Sequence, residues 1–412
     1  MSESSFKAGG EIVARIEALG KISETPDALT RIYLTPELQA AADQLLVWMR
    51  EAGMAAHMDA IGNVVGRYEG ARAAAPCLML GSHYDTVRNA GKWDGPLGVI
   101  TAISCVAELN RRGKRFPFAI EVVGFADEEG VRFNSTLLGS RAIAGTFDAR
   151  ALDTVDRDGL SMRQALQDFG LDPDAIRSAA RRKGDVLGYI ELHIEQGPVL
   201  EALNLPVGVV TAISGASRFI IHLEGMAGHA GTVPMDRRRD ALTGAAECIL
   251  MIERYCRARK GLVGTVGQAT VLPGATNVIP GRVSFTLDVR SGSDDERKIA
   301  VADLTKEIGA LAGARNLDCR IEQTHENRSV PCAASISSCI ADAIKDAGFA
   351  VHELPSGAGH DGMAIADIAD IGMIFVRCRG GLSHHPDEHV EPTDAEVGAQ
   401  VMLRTIETFA GG

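Results

Sequence analysis

Short apolar segments alternate with helical segments in this chain, and this alternation restricts the fold more than any other feature. The apolar segments of strand length are 77–80, 118–125, 188–194 and 373–376. Apolar residues recur at helical spacing in Glu11–Leu19, Pro36–Ala52 and Val99–Arg111. Strands that are apolar on both faces and separated by helices predict an α/β fold whose mainly parallel sheet is covered by helices. We expect Gly81 to end the first of these strands.

Residues 214–330 show a different order of elements. The pattern predicts strand, helix, two strands, helix and strand at Arg218–Leu223, Asp240–Lys260, Leu262–Val271, Arg282–Arg290, Asp294–Leu311 and Asp318–Thr324. This βαββαβ order is typical of a ferredoxin-like α+β sandwich. A chain of 412 residues is also long for one domain. We therefore expect a catalytic domain formed by 1–213 and 331–412, with 214–330 inserted into it.

Composition excludes several classes of function. The net charge of −12 argues against a nucleic-acid-binding protein, which would have a basic surface. The sequence has neither a secretion signal nor an apolar run of about 18 residues, so we expect no membrane association. The eight cysteines form no CxxC pair, which favours buried thiols over disulfides or a zinc ribbon. These features predict a cytoplasmic protein.

Residues that commonly bind metals lie close to the ends of the predicted strands. They are His83, Asp85, Asp94, Glu128, Glu129, His193 and His384. Each cluster alone is a weak signal, because a single strand histidine usually packs in a core. The carboxyl ends of parallel strands meet at one edge of a sheet, so we expect these residues to converge. Imidazole and carboxylate ligands suit zinc, and manganese, cobalt or nickel accept them too. The clusters together predict a site for two divalent ions.

Neighbouring acidic residues suggest a division of labour within this site. Of the adjacent Glu128 and Glu129, one would bind metal and the other would act as a general base towards water. An aspartate between the two ions could bridge them. Asp85 would accept the second ring N–H of His83 and fix that ring.

Nine motifs together resemble the hydantoinase/carbamoylase branch of the aminoacylase and carboxypeptidase-type zinc peptidases. They are GSHYDTV, WDGPLGV, DEEG, ELHIEQGPVLE, GHAGTVPM, GATNVIPG, LDVRS, SGAGHD and GGLSHHP, in the family's order from about residue 25 onward. This branch includes allantoate amidohydrolases, N-carbamoyl-L-amino-acid hydrolases and beta-ureidopropionases. His193 stands where the peptidase relatives carry a carboxylate, which favours the carbamoylase branch.

The resemblance implies a role for each matching residue. The implied metal ligands are His83, Asp94, Glu129, His193 and His384, with Asp94 bridging and Glu128 as the base. His385 is the alternative to His384, which is preferred because it directly follows Ser383. The implied substrate-binding residues are Gln196, Asn277, Arg290, Gly359 and His360. His229 would stabilise the oxyanion from across the interface of a homodimer built through the inserted domain. We expect Arg237–Arg239 to form a solvated helix start, with attraction of an anion as the alternative.

The implied activity is hydrolysis of the ureido C–N bond of a carboxylate-bearing substrate, releasing ammonia and carbon dioxide. Allantoate is the favoured substrate, and an N-carbamoyl-L-amino acid or N-carbamoyl-beta-alanine is the alternative. A dipeptidase or aminoacylase is a further possibility, against which His193 counts. An inactive metal-binding scaffold is another, but it would have no use for the spare carboxylate of Glu128.

Overall fold

The computed structural model describes residues 6–409, which fall into two compact units. The larger unit comprises the described residues from 6 to 211, Cys332–Leu354 and those from 358 to 409. The smaller unit comprises Ala212–Pro331 and Pro355–Gly357. Within 6–409, no helix combines the length and the apolar character needed to cross a lipid bilayer.

The helices and strands are numbered in chain order. The strands are β1 (Ala55–Met58), β2 (Val64–Tyr68), β3 (Cys77–His83), β4 (Ala119–Phe125), β5 (Val186–Ile194), β6 (Val207–Ile213), β7 (Gly215–Glu224), β8 (Gly228–His229), β9 (Leu262–Thr265), β10 (Ala269–Leu272), β11 (Val278–Ile279), β12 (Arg282–Ser291), β13 (Asp318–Asn327), β14 (Val330–Pro331), β15 (Glu353–Ser356) and β16 (Ile371–Val376). The α-helices are α1 (Gly9–Gly20), α2 (Pro36–Glu51), α3 (Pro96–Arg111), α4 (Leu138–Ile143), α5 (Met162–Asp168), α6 (Val199–Ala202), α7 (Ala241–Arg257), α8 (Asp294–Ala314), α9 (Ala334–Asp346), α10 (Gly362–Ile365) and α11 (Pro392–Thr408).

The larger unit is built on a mixed sheet with strand order β1-β2-β4-β3-β5-β16-β6. Its central strands β4, β3, β5 and β16 run parallel to one another. The outer strands β1, β2 and β6 join the sheet antiparallel to their neighbours. The predicted α/β fold with a mainly parallel sheet is therefore confirmed. The carboxyl ends of β3, β4, β5 and β16 lie at the same edge of this sheet.

Strand β3 continues through Gly81 as far as His83, so the expected end of this strand at Gly81 was wrong. Glycine is needed here for close packing, because a Cβ on Gly81 would lie only 2.6 Å from the carbonyl oxygen of Val123 in β4. Extending the strand by two residues brings His83 to the carboxyl edge of the sheet. Helix α3 begins with proline in its first turn, at Pro96, directly after Asp94 and Gly95.

The smaller unit has an antiparallel sheet of order β10-β12-β7-β13, and β9 also pairs with β12. Alternate residues of β12, among them Phe285, Leu287 and Val289, pack into a core with α7 and α8. Two short strands, β9 and β10, replace the single strand expected at Leu262–Val271. The ladder is interrupted where the backbone N–H of Gln268 donates to the hydroxyl of Thr286 instead. A separate two-stranded ribbon joins β8 to β11.

Candidate active site

Three imidazoles converge on the carboxylate of Asp94 in the larger unit. The Nε2 atoms of His83 and His193 lie 3.5 and 3.1 Å from its Oδ1. The Nε2 atom of His384 lies 3.2 Å from Oδ2 and 3.3 Å from Oε1 of Glu129. The donor atoms form two groups, and within each group all atoms lie within 4.8 Å of one another. One group is His83, Asp94 and His193, the other is Asp94, Glu129 and His384, so Asp94 belongs to both. This arrangement suits two cations that share one carboxylate.

Backbone carbonyls set the tautomers of two of these rings. The Nδ1 atom of His83 lies 3.1 Å from the carbonyl oxygen of Asp85, and Nδ1 of His193 lies 2.9 Å from that of Ile194. A carbonyl only accepts hydrogen bonds, so each Nδ1 carries the hydrogen and each neutral ring directs the Nε2 lone pair towards Asp94. Lone pairs and a carboxylate repel one another unless a cation or proton lies between them. The donor set therefore fits divalent metal ions.

Without a metal ion, a proton must lie between the imidazole nitrogens and the carboxylates. Hydrogen bonding to Asp94 and then to Glu129 raises the pKa of His384 to about 10. Burial, the largest single effect on His83, lowers the pKa of that ring, but the carboxylates of Asp85 and Asp94 outweigh it and raise the pKa well above its usual value. Both shifts report a site with strong affinity for positive charge.

The side chain of Asp85 has a different contact from the one expected. Its Oδ1 is 3.6 Å from Nδ1 of His83, too far for a hydrogen bond, and the ring bonds to the backbone carbonyl of the same residue instead. The Asp85 carboxylate accepts the backbone N–H groups of Glu128 and Glu129, at 3.1 and 3.2 Å. It therefore orients the segment that carries the base and ligand candidates.

Glu128 lies beside the cluster formed by the imidazoles and Asp94. Its carboxylate forms a third group of donor atoms with His83 and Glu129. Burial, with a further contribution from Glu129, raises its pKa well above the usual value, although His83 acts in the opposite direction. A Cβ on Gly359 would lie 3.7 Å from its Oε1, so the glycine leaves open space beside this oxygen. A carboxylate with a raised pKa is suited to accept and return a proton near neutral pH.

Of the remaining predicted residues of the larger unit, Gln196 and His360 contact the cluster around Asp94, and His385 does not. His385 accepts the backbone N–H of Asp387 at 3.1 Å and is half exposed, whereas the structure brings His384 to Asp94. Gln196 donates from Nε2 to Oδ2 of Asp94 at 2.9 Å, and its Oε1 has no hydrogen-bond partner within 6–409. The ring centroid of His360 lies 4.5 Å from that of His193.

Two buried carboxylates near the site were missed by the sequence analysis. Glu388 accepts the backbone N–H groups of Trp93 and Asp94 through Oε1, at 2.8 and 2.9 Å. Burial raises its pKa to about 7, with a further contribution from Asp94. Glu191 accepts hydroxyl hydrogen bonds from Ser82 and Tyr189, each at 3.0 Å. The sequence did contain a signal for Glu191, because an acidic residue is unusual inside the otherwise apolar strand β5.

In the smaller unit, the β8–β11 ribbon places His229, the last residue of β8, beside Asn277, which directly precedes β11. The backbone N–H of Gly231 donates to Nδ1 of His229 at 3.0 Å, so Nε2 of the neutral ring carries the hydrogen. The backbone N–H of Ala230 donates to the carbonyl of Asn277 at 2.9 Å. Arg238 donates to the carbonyl of Ala230 at 2.6 Å. The expectation for Arg238 was a solvated helix start or attraction of an anion, but its guanidinium fixes the loop that follows His229.

Arg290 is held on both sides of its guanidinium. Its Nε and Nη2 donate to the two carboxylate oxygens of Asp288, both at 2.9 Å, and Nη1 donates to the carbonyl of Gly357 at 2.7 Å. Asp288 also accepts Nε of Arg218 at 2.9 Å. Each Nη atom of Arg290 has a second hydrogen, so the far end of its guanidinium can still bind a carboxylate.

Comparison with known proteins assigns the chain to a family. The model for peptidase family M20/M25/M40 matches residues 79–408. The chain belongs to this family. Among M20/M25/M40-like relatives, an N-carbamoyl-L-amino acid amidohydrolase from Geobacillus stearothermophilus is 42% identical over 98% of this chain and 99% of its own. Allantoate deiminase 1 from Glycine max is 39% identical over 97% of this chain and 89% of its own. The crystal structure of a hydantoinase/carbamoylase family amidase from Burkholderia multivorans superposes with a TM-score of 0.92, at 33% identity and 98% coverage of both chains.

Proposed function

We propose that this protein is a metal-dependent amidohydrolase that cleaves the ureido C–N bond of a carboxylate-bearing substrate, releasing ammonia and carbon dioxide. The observation that carries the proposal is the convergence of three Nε2 atoms on Asp94 with the carboxylate of Glu128 beside them. The similarity to both an N-carbamoyl-L-amino acid amidohydrolase and an allantoate deiminase supports cleavage of this bond. Allantoate and N-carbamoyl-L-amino acids are the candidate substrates.

We propose two divalent ions per subunit, zinc or else manganese, cobalt or nickel. The residues that would hold them are His83, Asp94, Glu129, His193 and His384. When bound, the ions supply positive charge that polarises the substrate carbonyl and lowers the pKa of water.

The side chains of the protein carry the remaining steps. Glu128 accepts a proton from the attacking water and returns it to the departing nitrogen. His229 donates from Nε2 to the developing oxyanion, and Asn277 and Arg290 bind the substrate carboxylate. Gln196 is proposed to bind the substrate as well; its Oε1, which has no hydrogen-bond partner within 6–409, is buried, so the side chain must rotate to accept a ureido N–H. We propose that His229 acts in the partner subunit's site, in a cytoplasmic homodimer formed through the smaller unit.

The base is tested with Glu128→Gln, which keeps the shape of the side chain but not its basicity. We expect kcat for ammonia release to fall by about 10²–10⁴-fold. Metal content measured by atomic emission should stay at the wild-type value. Glu129→Gln is the matched control, because it should lose metal as well as activity. Substantial residual turnover by metal-loaded Glu128→Gln would contradict the assignment.

The shared site is tested by mixing two inactive variants, Glu128→Gln and His229→Ala. Mixed dimers contain one site with both native residues if His229 comes from the partner, so activity should return after subunit exchange. Failure to regain activity in a verified heterodimer would show that each subunit uses its own His229.

A further inference from the structure

Glu191 joins three segments of the larger unit through one buried carboxylate. Its Oε1 accepts a hydrogen bond from the hydroxyl of Ser82, which precedes His83 in β3, at 3.0 Å. Its Oε2 accepts from the hydroxyl of Tyr189 at 3.0 Å and from the backbone N–H of Gly362, the first residue of α10, at 3.3 Å. Because Glu191 is fully buried, water does not compete for these contacts. The carboxylate therefore ties β3 and β5 to the beginning of α10.

Helix α10 has no cap from its own segment. The first N–H groups of a helix have no partner within it, and a side chain directly before the helix commonly accepts one of them. Asp361 occupies that position but makes no such hydrogen bond. The N–H of Gly362 donates instead to Glu191, which lies 171 positions earlier in the chain. The central sheet therefore fixes the start of this helix.

The same turn carries His360. The backbone N–H of Met363 donates to the carbonyl of His360 at 2.9 Å, so this residue is attached to the first turn of α10. His360 is buried, and its ring centroid lies 4.5 Å from that of His193. A displacement of α10 would therefore move the ring of His360 relative to His193. His360 is among the residues that are expected to bind the substrate.

Stability alone does not account for a carboxylate at this position. Burying a charged or polar group costs free energy, and an apolar side chain of similar volume is often at least as stabilising. Leucine would fill the space, but it cannot accept the N–H of Gly362. The hydroxyl of Tyr189 would keep an acceptor, because it also lies 3.0 Å from the carbonyl oxygen of Gly81. Among the contacts of Glu191, the one with Gly362 reaches outside the sheet.

Resting on the proposed function, we infer that Glu191 is a positioning residue. Its carboxylate holds the first turn of α10, and through that turn it holds the ring of His360 where this ring binds the substrate. Glu191 itself contacts neither the substrate nor the reacting atoms. Because it acts on a binding residue, its loss should raise KM more than it lowers kcat.

The first test compares Glu191→Leu with Glu191→Gln, using allantoate and N-carbamoyl-L-alanine as substrates. Leucine removes the acceptor, so KM should rise at least about tenfold while kcat changes less than about threefold. Glutamine keeps an oxygen for Gly362 and directs its NH₂ group to the hydroxyl oxygen of Ser82, so KM should stay close to the wild-type value. Tyr189→Phe is the matched control, because it removes another donor to the same carboxylate without changing the contact with α10. Equal rises of KM in Glu191→Leu and Glu191→Gln would refute the inference.

Metal content separates this role from direct support of the metal site. The donor atoms of Glu191, His193 and His360 lie within 4.8 Å of one another, so the carboxylate also lies near a candidate metal ligand. Glu191→Leu should keep the wild-type metal content in atomic emission. Loss of metal would show that Glu191 acts on His193, and it would overturn the inference.

A double-mutant cycle tests whether the effect passes through His360. Adding Glu191→Leu to His360→Ala should change KM less than about twofold, because the ring that Glu191 positions is already absent. A further rise as large as that in the single Glu191→Leu variant would contradict this.

Hydrogen exchange followed by mass spectrometry tests the contact without any substrate. Amides in 358–366 should exchange at least about tenfold faster in Glu191→Leu than in the wild type, and at the wild-type rate in Glu191→Gln and Tyr189→Phe. Unchanged exchange in Glu191→Leu would overturn the inference, whatever the substrate is. Turnover of neither compound by the metal-loaded wild type would refute the proposed function, and the exchange rates would still decide whether Glu191 holds α10. Glu191→Met, whose flexible side chain fills the same space, replaces Glu191→Leu if the latter does not fold.

Discussion

Replacement of Glu388 by alanine should weaken both the fold and the metal site. The side chain is only 3% exposed, and its Oε1 accepts the backbone N–H groups of Trp93 and Asp94 at 2.8 and 2.9 Å. Alanine leaves both donors buried without a partner, at about 1–3 kcal/mol each, so unfolding should require about 2–6 kcal/mol less free energy. The space left by the missing carboxyl group adds to this loss.

The same change should loosen the segment that carries Asp94, the carboxylate shared by the two groups of candidate metal ligands. Loss of a residue that orients a ligand typically costs about 10–100-fold in metal affinity. Competition with a fluorescent chelator measures the affinity, and urea unfolding of the apoprotein measures stability without any contribution from metal.

Glu388→Gln is the matched control for this prediction, because the amide retains an oxygen that can accept both N–H groups. It should preserve most of the stability and metal affinity that alanine loses. The reasoning would be refuted if Glu388→Ala unfolded within about 0.5 kcal/mol of wild type, the range of ordinary surface substitutions, and bound metal with unchanged affinity.

Three further changes test other parts of the structure. Asp288→Asn removes the charge that holds Arg290, so KM should rise about tenfold, equivalent to about 1.4 kcal/mol, with kcat within about twofold in steady-state assays; an unchanged KM would contradict the contact's role. Gly81→Ala places a Cβ 2.6 Å from the carbonyl oxygen of Val123 and should cost about 1–3 kcal/mol in denaturant unfolding, unlike Gly309→Ala in α8, whose site has open space and ordinary helical backbone. Metal binding must displace the proton of His384, whose pKa is raised to about 10, and that of His83, whose pKa is raised as well. Metal affinity should therefore rise at least about tenfold per pH unit between pH 6 and 8, and calorimetry in two buffers should detect the released protons; a pH-independent affinity would contradict this.

The sequence was sufficient to predict the central sheet and the convergence of the metal-ligand candidates. Strands buried on both faces are uniformly apolar, and polar residues at their carboxyl ends must meet at one edge once the strands are parallel. His83, Asp94 and His193 follow this rule directly. The choice between His384 and His385 could not be made this way, because adjacent residues in a loop share the same position relative to the strand.

Contacts between distant segments could not be predicted. Glu388 bonds to Trp93 across 295 positions of sequence, and no local pattern reports such a pair. Arg238 donates hydrogen bonds to backbone carbonyls of its own unit. Every residue has a backbone carbonyl, so the sequence does not indicate which of them will accept a hydrogen bond. The interruption between β9 and β10 depends on a threonine hydroxyl of β12 that competes with the backbone ladder. These features arise only when the chain has folded.

The electrostatics of the larger unit explain why so many carboxylates are tolerated in one interior. Burial is the largest effect on Asp127, Glu191 and Asp361, and it raises the pKa of each above its usual value. In the metal-free protein such groups avoid the cost of a buried charge by retaining protons. Divalent cations at Asp94 would compensate the ionised form, because each carries two positive charges where a protonated ring such as His384 carries one. Stability and metal loading would therefore be coupled through the same carboxylates, and Glu128 would be ionised, and so able to accept a proton, once nearby positive charge offsets its burial.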